Sequence, residues 1–214
     1  MQARDYIANG NSGKIVLGLD RVRKLCEFLG NPQDKVKLIH ISGTNGKGSV
    51  GTFIASVLTA SGYKVGRYTS PEVLNYRDKF SINGQWISED EFASLTDVIS
   101  RFVDKMPDRP TPFEIETALA YYYFEQNDCD FAVVECGMGG KEDATNVADN
   151  KVLSVLTSVA LDHTQFLGDT LEKITEQKIG IVKGSPLVSA GQCSEVLAVL
   201  KDKISDLTLA DVSK

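Results

Sequence analysis

At 214 residues, with 42% hydrophobic and 24% charged residues, the chain has the length to bury a substantial core and the make-up of an ordinary globular domain. Its formal net charge of −6 gives a nucleic-acid role no global electrostatic support, and no apolar run approaches the length of a membrane span. Met1 is followed by no signal-peptide pattern, and the four cysteines (Cys26, Cys129, Cys136, Cys193) form no C-x-x-C pair, so reduced, buried thiols in a cytoplasmic protein are expected.

In chain order, Val22, Leu25, Cys26 and Leu29 make a first amphipathic helix, closed by Gly30 and Pro32. Lys37–Ile41 is an apolar run that reads as a buried strand. A helix is predicted from Val50 to about Ser61, with Phe53, Ile54, Val57 and Leu58 spaced for one face. The strand Lys64–Tyr68 follows. Residues 69–83 lack clear periodicity and read as a long loop. A helix is predicted over Glu89–Val103, and Thr111-Pro112-Phe113-Glu114 is a complete helix start, with Thr at the N-cap, Pro at N1 and Glu at N3. Asp130–Glu135 is a core strand running into Gly137, Gly139 and Gly140, and Val152–Thr157 is another. Asp169 and Glu172 form a capping box for a helix on which Leu171, Ile174, Lys178 and Ile181 share a face. A short strand, Leu187–Ser189, precedes a helix over Ser194–Ile204 and a polar tail. This alternation predicts an α/β fold with a mostly parallel sheet flanked by helices.

The segment Gly43-Thr44-Asn45-Gly46-Lys47-Gly48-Ser49 lies where the first strand meets its helix. Its glycines let backbone N–H groups converge on an anion, Lys47 adds a point charge, Ser49 supplies a hydroxyl for Mg²⁺, and the helix N-terminus contributes its dipole. The general phosphate-loop pattern wants a further glycine where Ile41 stands. Gly46 to Gly51 also fits the G-x-G-x-x-G dinucleotide fingerprint, but the next strand ends without the ribose-binding acid. A lysine inside the turn suits a triphosphate better.

Other candidates gather at strand ends, where ligands collect in open α/β sheets. Glu135 closes an apolar strand, and a lone carboxylate there is costly to bury unless it is paired or serves a hard cation. Asp162-His163 follows the Val152 strand. Lys178 places an ammonium within an apolar stripe, which calls for pairing, neutrality, modification or escape of the head group to the stripe's edge. Ser70-Pro71 reads physically as an ordinary turn, and His40 as a structural strand residue.

Gly43–Ser49, Thr69-Ser70-Pro71, Phe113-Glu114, Glu135-x-Gly-x-Gly-Gly, Asp143-Ala144-Thr145-Asn146, Leu161-Asp162-His163-Thr164, Leu167-Gly168-Asp169-Thr170 and Lys178-x-Gly-Ile occur in the order found in folylpolyglutamate synthase/dihydrofolate synthase, the folate branch of the Mur ligase superfamily. The resemblance covers roughly residues 18–191. It implies ATP-dependent ligation of L-glutamate to folate or dihydropteroate through an acyl phosphate. It assigns Gly43, Thr44, Asn45, Gly46, Lys47, Gly48 and Ser49 to ATP. Ser70 and Glu135 go to one Mg²⁺, and His163 to a second. A carbamylated Lys178 supports that second metal, and Lys47, His163 and Lys178 are the catalytic set. Thr111, Phe113, Asp143 and Ala144 match positions at the pterin end of the substrate. Family members act mostly as monomers, on small molecules, with no nucleic-acid or membrane partner. They run to about twice this length, so residues 1–214 are expected to be the ATP-binding domain, incomplete at its C-terminal end, without the glutamate-ligase domain and without turnover alone. Glu72, Asp78, Lys79 and Lys141 depart from the family pattern. Another Mur-type amide ligase, or a nucleotide-binding module without chemistry, are the alternatives.

Overall fold

A computed structural model describes residues 3–9 and 16–210; the end of the polar tail (211–214) lies outside the described residues. Along the chain run α1 (Ala3–Ala8), α2 (Asp20–Phe28), β1 (Lys37–Ser42), α3 (Lys47–Ala60), β2 (Val65–Tyr68), β3 (Phe80–Ile82), β4 (Gln85–Trp86), α4 (Glu89–Val103), α5 (Pro112–Gln126), β5 (Phe131–Glu135), β6 (Lys151–Leu156), α6 (Thr164–Leu167), α7 (Leu171–Ile179), β7 (Leu187–Ser189), α8 (Ser194–Lys203) and β8 (Leu207–Leu209). One eight-stranded sheet has the order β4-β3-β2-β5-β1-β6-β7-β8. It is parallel from β2 to β8, with β3 and β4 antiparallel at one edge.

The sheet is covered on both faces, as a parallel sheet requires. Alternate residues divide between two cores: Leu38, Ala132 and Val134 pack with α2, α4 and α5, whereas Ile39, Ile41, Val133 and Val155 pack with α3. A third cluster lies under α7 and α8 around Leu156 and Leu187. Nearly all of α5 is buried, and its start is the expected capping box: Thr111 Oγ1 accepts from the Glu114 N–H at 3.3 Å, and Glu114 Oε2 accepts from the Thr111 N–H at 2.7 Å.

Several elements differ from expectation. The helix α3 begins at Lys47, so the phosphate loop feeds it directly. Its sheet-facing stripe is the partly buried Val50, Ile54 and Leu58, while Phe53 and Val57 are 70% and 65% exposed. The i, i+4 spacing of Phe53 and Val57 is helical, but one helix against one sheet covers only a narrow stripe. Within the expected long loop, Tyr76–Lys79 is a 3₁₀ turn and Phe80–Ile82 is a strand; each is too short to show a period. The cap of α7 is Thr170, whose hydroxyl accepts from Lys173 N–H at 3.3 Å, while Asp169 pairs with the Lys173 side chain. Ile181 lies beyond the end of that helix, although it is fully buried. Cys193 is exposed, unlike the other three cysteines. The polar tail contains β8, held parallel to β7.

Candidate active site

The carboxyl ends of β2, β5, β1 and β6 lie side by side, and the connection from β1 to β2 runs to one side while that from β5 to β6 runs to the other, which opens a crevice there. From β1 the chain enters the glycine-rich loop. Gly43 has φ +146°, and a Cβ there would collide with Thr157 Oγ1. The loop is pinned to the segment after β6: Thr44 N–H donates to Ser158 O at 2.7 Å, Ala160 N–H donates to Thr44 Oγ1 at 3.1 Å, and Ser158 Oγ donates to Asn45 O at 3.3 Å. Gly46 forms the N-cap of α3, so that helix's free N–H groups open onto the crevice.

Glu135, at the end of β5, faces the first turn of α3. A Cβ on Gly48 would sit 3.3 Å from Glu135 Oε2 and 3.4 Å from Thr69 Oγ1, so glycine here lets the helix approach the carboxylate. Thr69 donates a short hydrogen bond to Glu135 Oε2, and Lys47 Nζ lies 3.9 Å from Oε1. Lys47 also donates to Thr44 O at 3.3 Å. Burial raises the Glu135 pKa; the Thr69 hydroxyl and the charge of Lys47 work against that rise. Ser70 follows Thr69, half-buried, and its backbone N–H also serves Glu135.

Lys178 is 2% exposed, near the end of α7, and its Nζ donates to Gly43 O at 2.8 Å. Its ammonium therefore sits beneath the phosphate loop. Burial lowers its pKa to about 8, and repulsion from Lys47 adds to that. Snorkelling to the edge of the stripe is excluded by this position.

A cavity of about 410 Å³ opens past the carboxyl end of β5, the strand next to β1. Thr111 and Phe113 from the start of α5, Gly137 and Met138 after β5, and Asp143, Ala144 and His163 line it. The four residues matched to a pterin are thus brought together. Phe113 packs near Tyr68, with ring centroids 6.2 Å apart. Val16, Leu17 and Gly18 form a further wall that the sequence analysis did not identify. They lie in an irregular stretch before α2, without periodicity or a chemical side chain; only Gly18 in an extended apolar stretch could have marked it. Arg21 of α2 fastens this side to α5, its Nε donating to Glu114 Oε2 at 3.0 Å.

His163 lines this cavity and is half-exposed, with Nε2 3.6 Å from Asp162 Oδ2. Among the described residues, no three His, Cys, Asp or Glu side chains are arranged to hold a metal ion. His163 lines the cavity, whereas Glu135 faces Gly48, Thr69 and Lys47. The departures from the family pattern have structural work: Lys79 is buried with Nζ 2.6 Å from Glu116 Oε2 and 3.7 Å from Glu72 Oε2. Asp78 accepts from the backbone N–H groups of Val73, Leu74 and Asn75.

A glycine-rich loop at a helix N-terminus and a mostly apolar cavity, both at the carboxyl ends of strands in a mostly parallel sheet, define an α/β domain of the ligand-binding class. Residues 41–205 match the Mur ligase middle domain, and the chain belongs to that family. It is 40% identical over 205 residues to dihydrofolate synthase/folylpolyglutamate synthase of Bacillus subtilis, covering 93% of this chain and 47% of that protein. The apo form of L. casei FPGS superposes with a TM-score of 0.93 at 36% identity, over 98% of this chain and 53% of that one. E. coli FolC in complex with DHPP and ADP gives 0.85 at 34%, over 98% and 50%. The chain thus spans about half the length of the relatives it matches.

Proposed function

We propose that this chain is the nucleotide- and pterin-binding half of a folylpolyglutamate/dihydrofolate synthase, which joins L-glutamate to folate or dihydropteroate at the expense of ATP. The observation that carries this reading is the cavity: Thr111, Phe113, Asp143 and Ala144, scattered over 34 positions of sequence, line one cavity past the end of β5, next to the strand that leads into the glycine-rich loop. The E. coli relative is in complex with both DHPP and ADP, which supports a domain that takes two ligands.

In this reading the loop amides and Lys47 hold the ATP phosphates, and Lys47 swings from Thr44 O and Glu135 onto the γ-phosphate. Phe113 packs against the heterocycle, and the substrate carboxylate points back toward Lys47. The carboxylate oxygen attacks the γ-phosphorus, ADP leaves, and the glutamate amine then displaces phosphate from the acyl phosphate. Positioning and neutralisation of charge carry the first step. Hard oxygen donors at Ser70 and Glu135 suit Mg²⁺, which takes one or two carboxylates and keeps phosphate oxygens and water, so a site without three converging side chains fits it. Bound there, Mg²⁺ would neutralise charge on the phosphates. A second ion would sit toward His163.

Lys178 has the setting for carbamylation. Its depressed pKa leaves roughly a quarter of the amine neutral at pH 7.5, by simple titration from a pKa of about 8. The neutral amine attacks CO₂, forming an N–C bond and releasing a proton, and the resulting anion turns a buried cation into a metal-supporting group. The glutamate-binding part and turnover belong to the longer protein. Glutamate-dependent ADP release by these 214 residues alone would refute that division. In the longer protein, ADP release should require dihydropteroate or a folate together with L-glutamate; release driven instead by a cell-wall precursor would assign another Mur-type ligase.

A further inference from the structure

Beneath the cavity lies a buried polar chain of which these assignments use only Asp143. His40 sits within β1, fully buried, on the face turned toward α5. Its Nε2 is 2.8 Å from Thr145 Oγ1, and the Thr145 hydroxyl forms a short hydrogen bond to Asp143 Oδ1. The same Oδ1 accepts from the Thr145 backbone N–H at 3.0 Å, and Oδ2 accepts from the Met138 N–H at 2.8 Å. The Asp143 carboxylate thereby holds both ends of the Met138–Thr145 segment that forms one side of the cavity.

Proton counting orients this chain. Thr145 has one hydroxyl proton, and the carboxylate is the group that needs it. Thr145 Oγ1 must then accept from His40, which places the imidazole proton on Nε2. Among the described residues His40 Nδ1 has no hydrogen-bond partner, as befits a bare ring nitrogen rather than an orphaned donor. Burial lowers the His40 pKa well below its ordinary value, so the ring stays neutral. Cys136 Sγ lies 3.1 Å from Nε2, but its thiol is fully buried and burial pushes its pKa up, which leaves it packing rather than nucleophilic. Tyr121 of α5 closes the arrangement, donating to Thr145 O at 2.7 Å.

We propose that Thr145 and His40 are positioning residues for ligand recognition: the chain from His40 Nε2–H through the Thr145 hydroxyl to Asp143 Oδ1 fixes the carboxylate rotamer that shapes the cavity for a pterin-type heterocycle. This rests on the reading of the cavity given above. A near-isosteric Thr145→Val keeps the volume, removes the donor to Asp143, and strands the His40 N–H.

Two measurements on the 214-residue chain test it. The first is the ring ¹⁵N spectrum of the two histidines, with His163→Gln to assign them. His40 should be the Nε2–H tautomer, and Thr145→Val should move its resonances; an Nδ1–H tautomer, or no response, overturns the chain. The second is titration with dihydropteroate, with ATP binding reporting that each variant is folded. Thr145→Val should weaken dihydropteroate about tenfold or more, the size expected for losing a hydrogen bond to a charged group. Thr145→Ser should restore it, and Thr145→Val should add little in an Asp143→Asn background. Fully additive losses would show that Thr145 does not act through Asp143. If the wild-type chain binds ATP but no dihydropteroate, the reading of the cavity fails, and the tautomer still decides the chain.

Discussion

Lys151, the first residue of β6, is 8% exposed, and its ammonium donates to Asn146 Oδ1 and, at 2.7 Å, to Ile181 O. Neither acceptor carries a charge. Asn146 in turn donates to Lys141 O at 3.0 Å and Gly180 O at 3.1 Å, so one buried amine ties the segment bearing Asp143 and Ala144 to the end of α7. Burial, with the charge of Lys183 adding to it, lowers the Lys151 pKa to about 7. Between that value and its ordinary 10.5 the unfolded chain binds the extra proton, so this residue makes stability rise with pH. Its cost is complete below about pH 7 and gone above 10.5. One titrating group contributes about 1.4 kcal/mol per pH unit, roughly 5 kcal/mol over this window as an upper figure. Lys151→Met fills the space but strands two acceptors, at about 1–3 kcal/mol each. Urea unfolding at pH 7.5, 8.5 and 9.5 reads the difference between variant and wild type, and subtraction removes the buried cysteines and tyrosines, whose raised pKa values work the other way. The variant should lose relative to wild type as pH rises, by about 1.4 kcal/mol per unit. A difference that does not change with pH would refute a buried, neutralising lysine.

Other expectations follow from single contacts. A Cβ at Gly137 would lie 2.6 Å from Phe113 Cζ, so Gly137→Ala should push the ring into the cavity and weaken dihydropteroate at least tenfold, with ATP binding kept, by calorimetry. Thr111→Ala removes the α5 cap and should cost about 1 kcal/mol in urea unfolding. Phe53→Ser, on the exposed side of α3, should change stability by no more than about 0.5 kcal/mol; a loss of 2 kcal/mol would mean that this face is covered. In the longer protein, Lys178→Ala should spare ATP binding and abolish turnover, and wild-type turnover would end the carbamate role.

The glycine-rich strand-to-helix turn was legible because an apolar strand, closely set glycines and a helix occur in immediate succession. Lys178 was legible as an anomaly, a cation on an apolar stripe, although only the fold shows it beneath Gly43. The cavity was legible only through resemblance: Thr111 has a complete explanation as a cap, and nothing local joins it to Asp143. Phe53 and Val57 were misread because a helical period says which residues share a face, not which face meets the sheet. The strands β3, β4 and β8 escaped because two or three residues are too few to display an alternation, whereas β7, equally short, follows Pro186 as an apolar pair. Val16–Gly18 carries no chemistry of its own and enters the site through backbone position.

The most direct test is calorimetric titration of the 214-residue chain with ATP–Mg²⁺ and then dihydropteroate, using Lys47→Ala and Phe113→Ala. Two separable sites should appear: Lys47→Ala should abolish nucleotide binding and leave dihydropteroate, while Phe113→Ala should do the reverse. A folded chain that binds neither ligand, or one in which both variants lose the same ligand, would contradict a phosphate loop and a pterin cavity built side by side on one sheet.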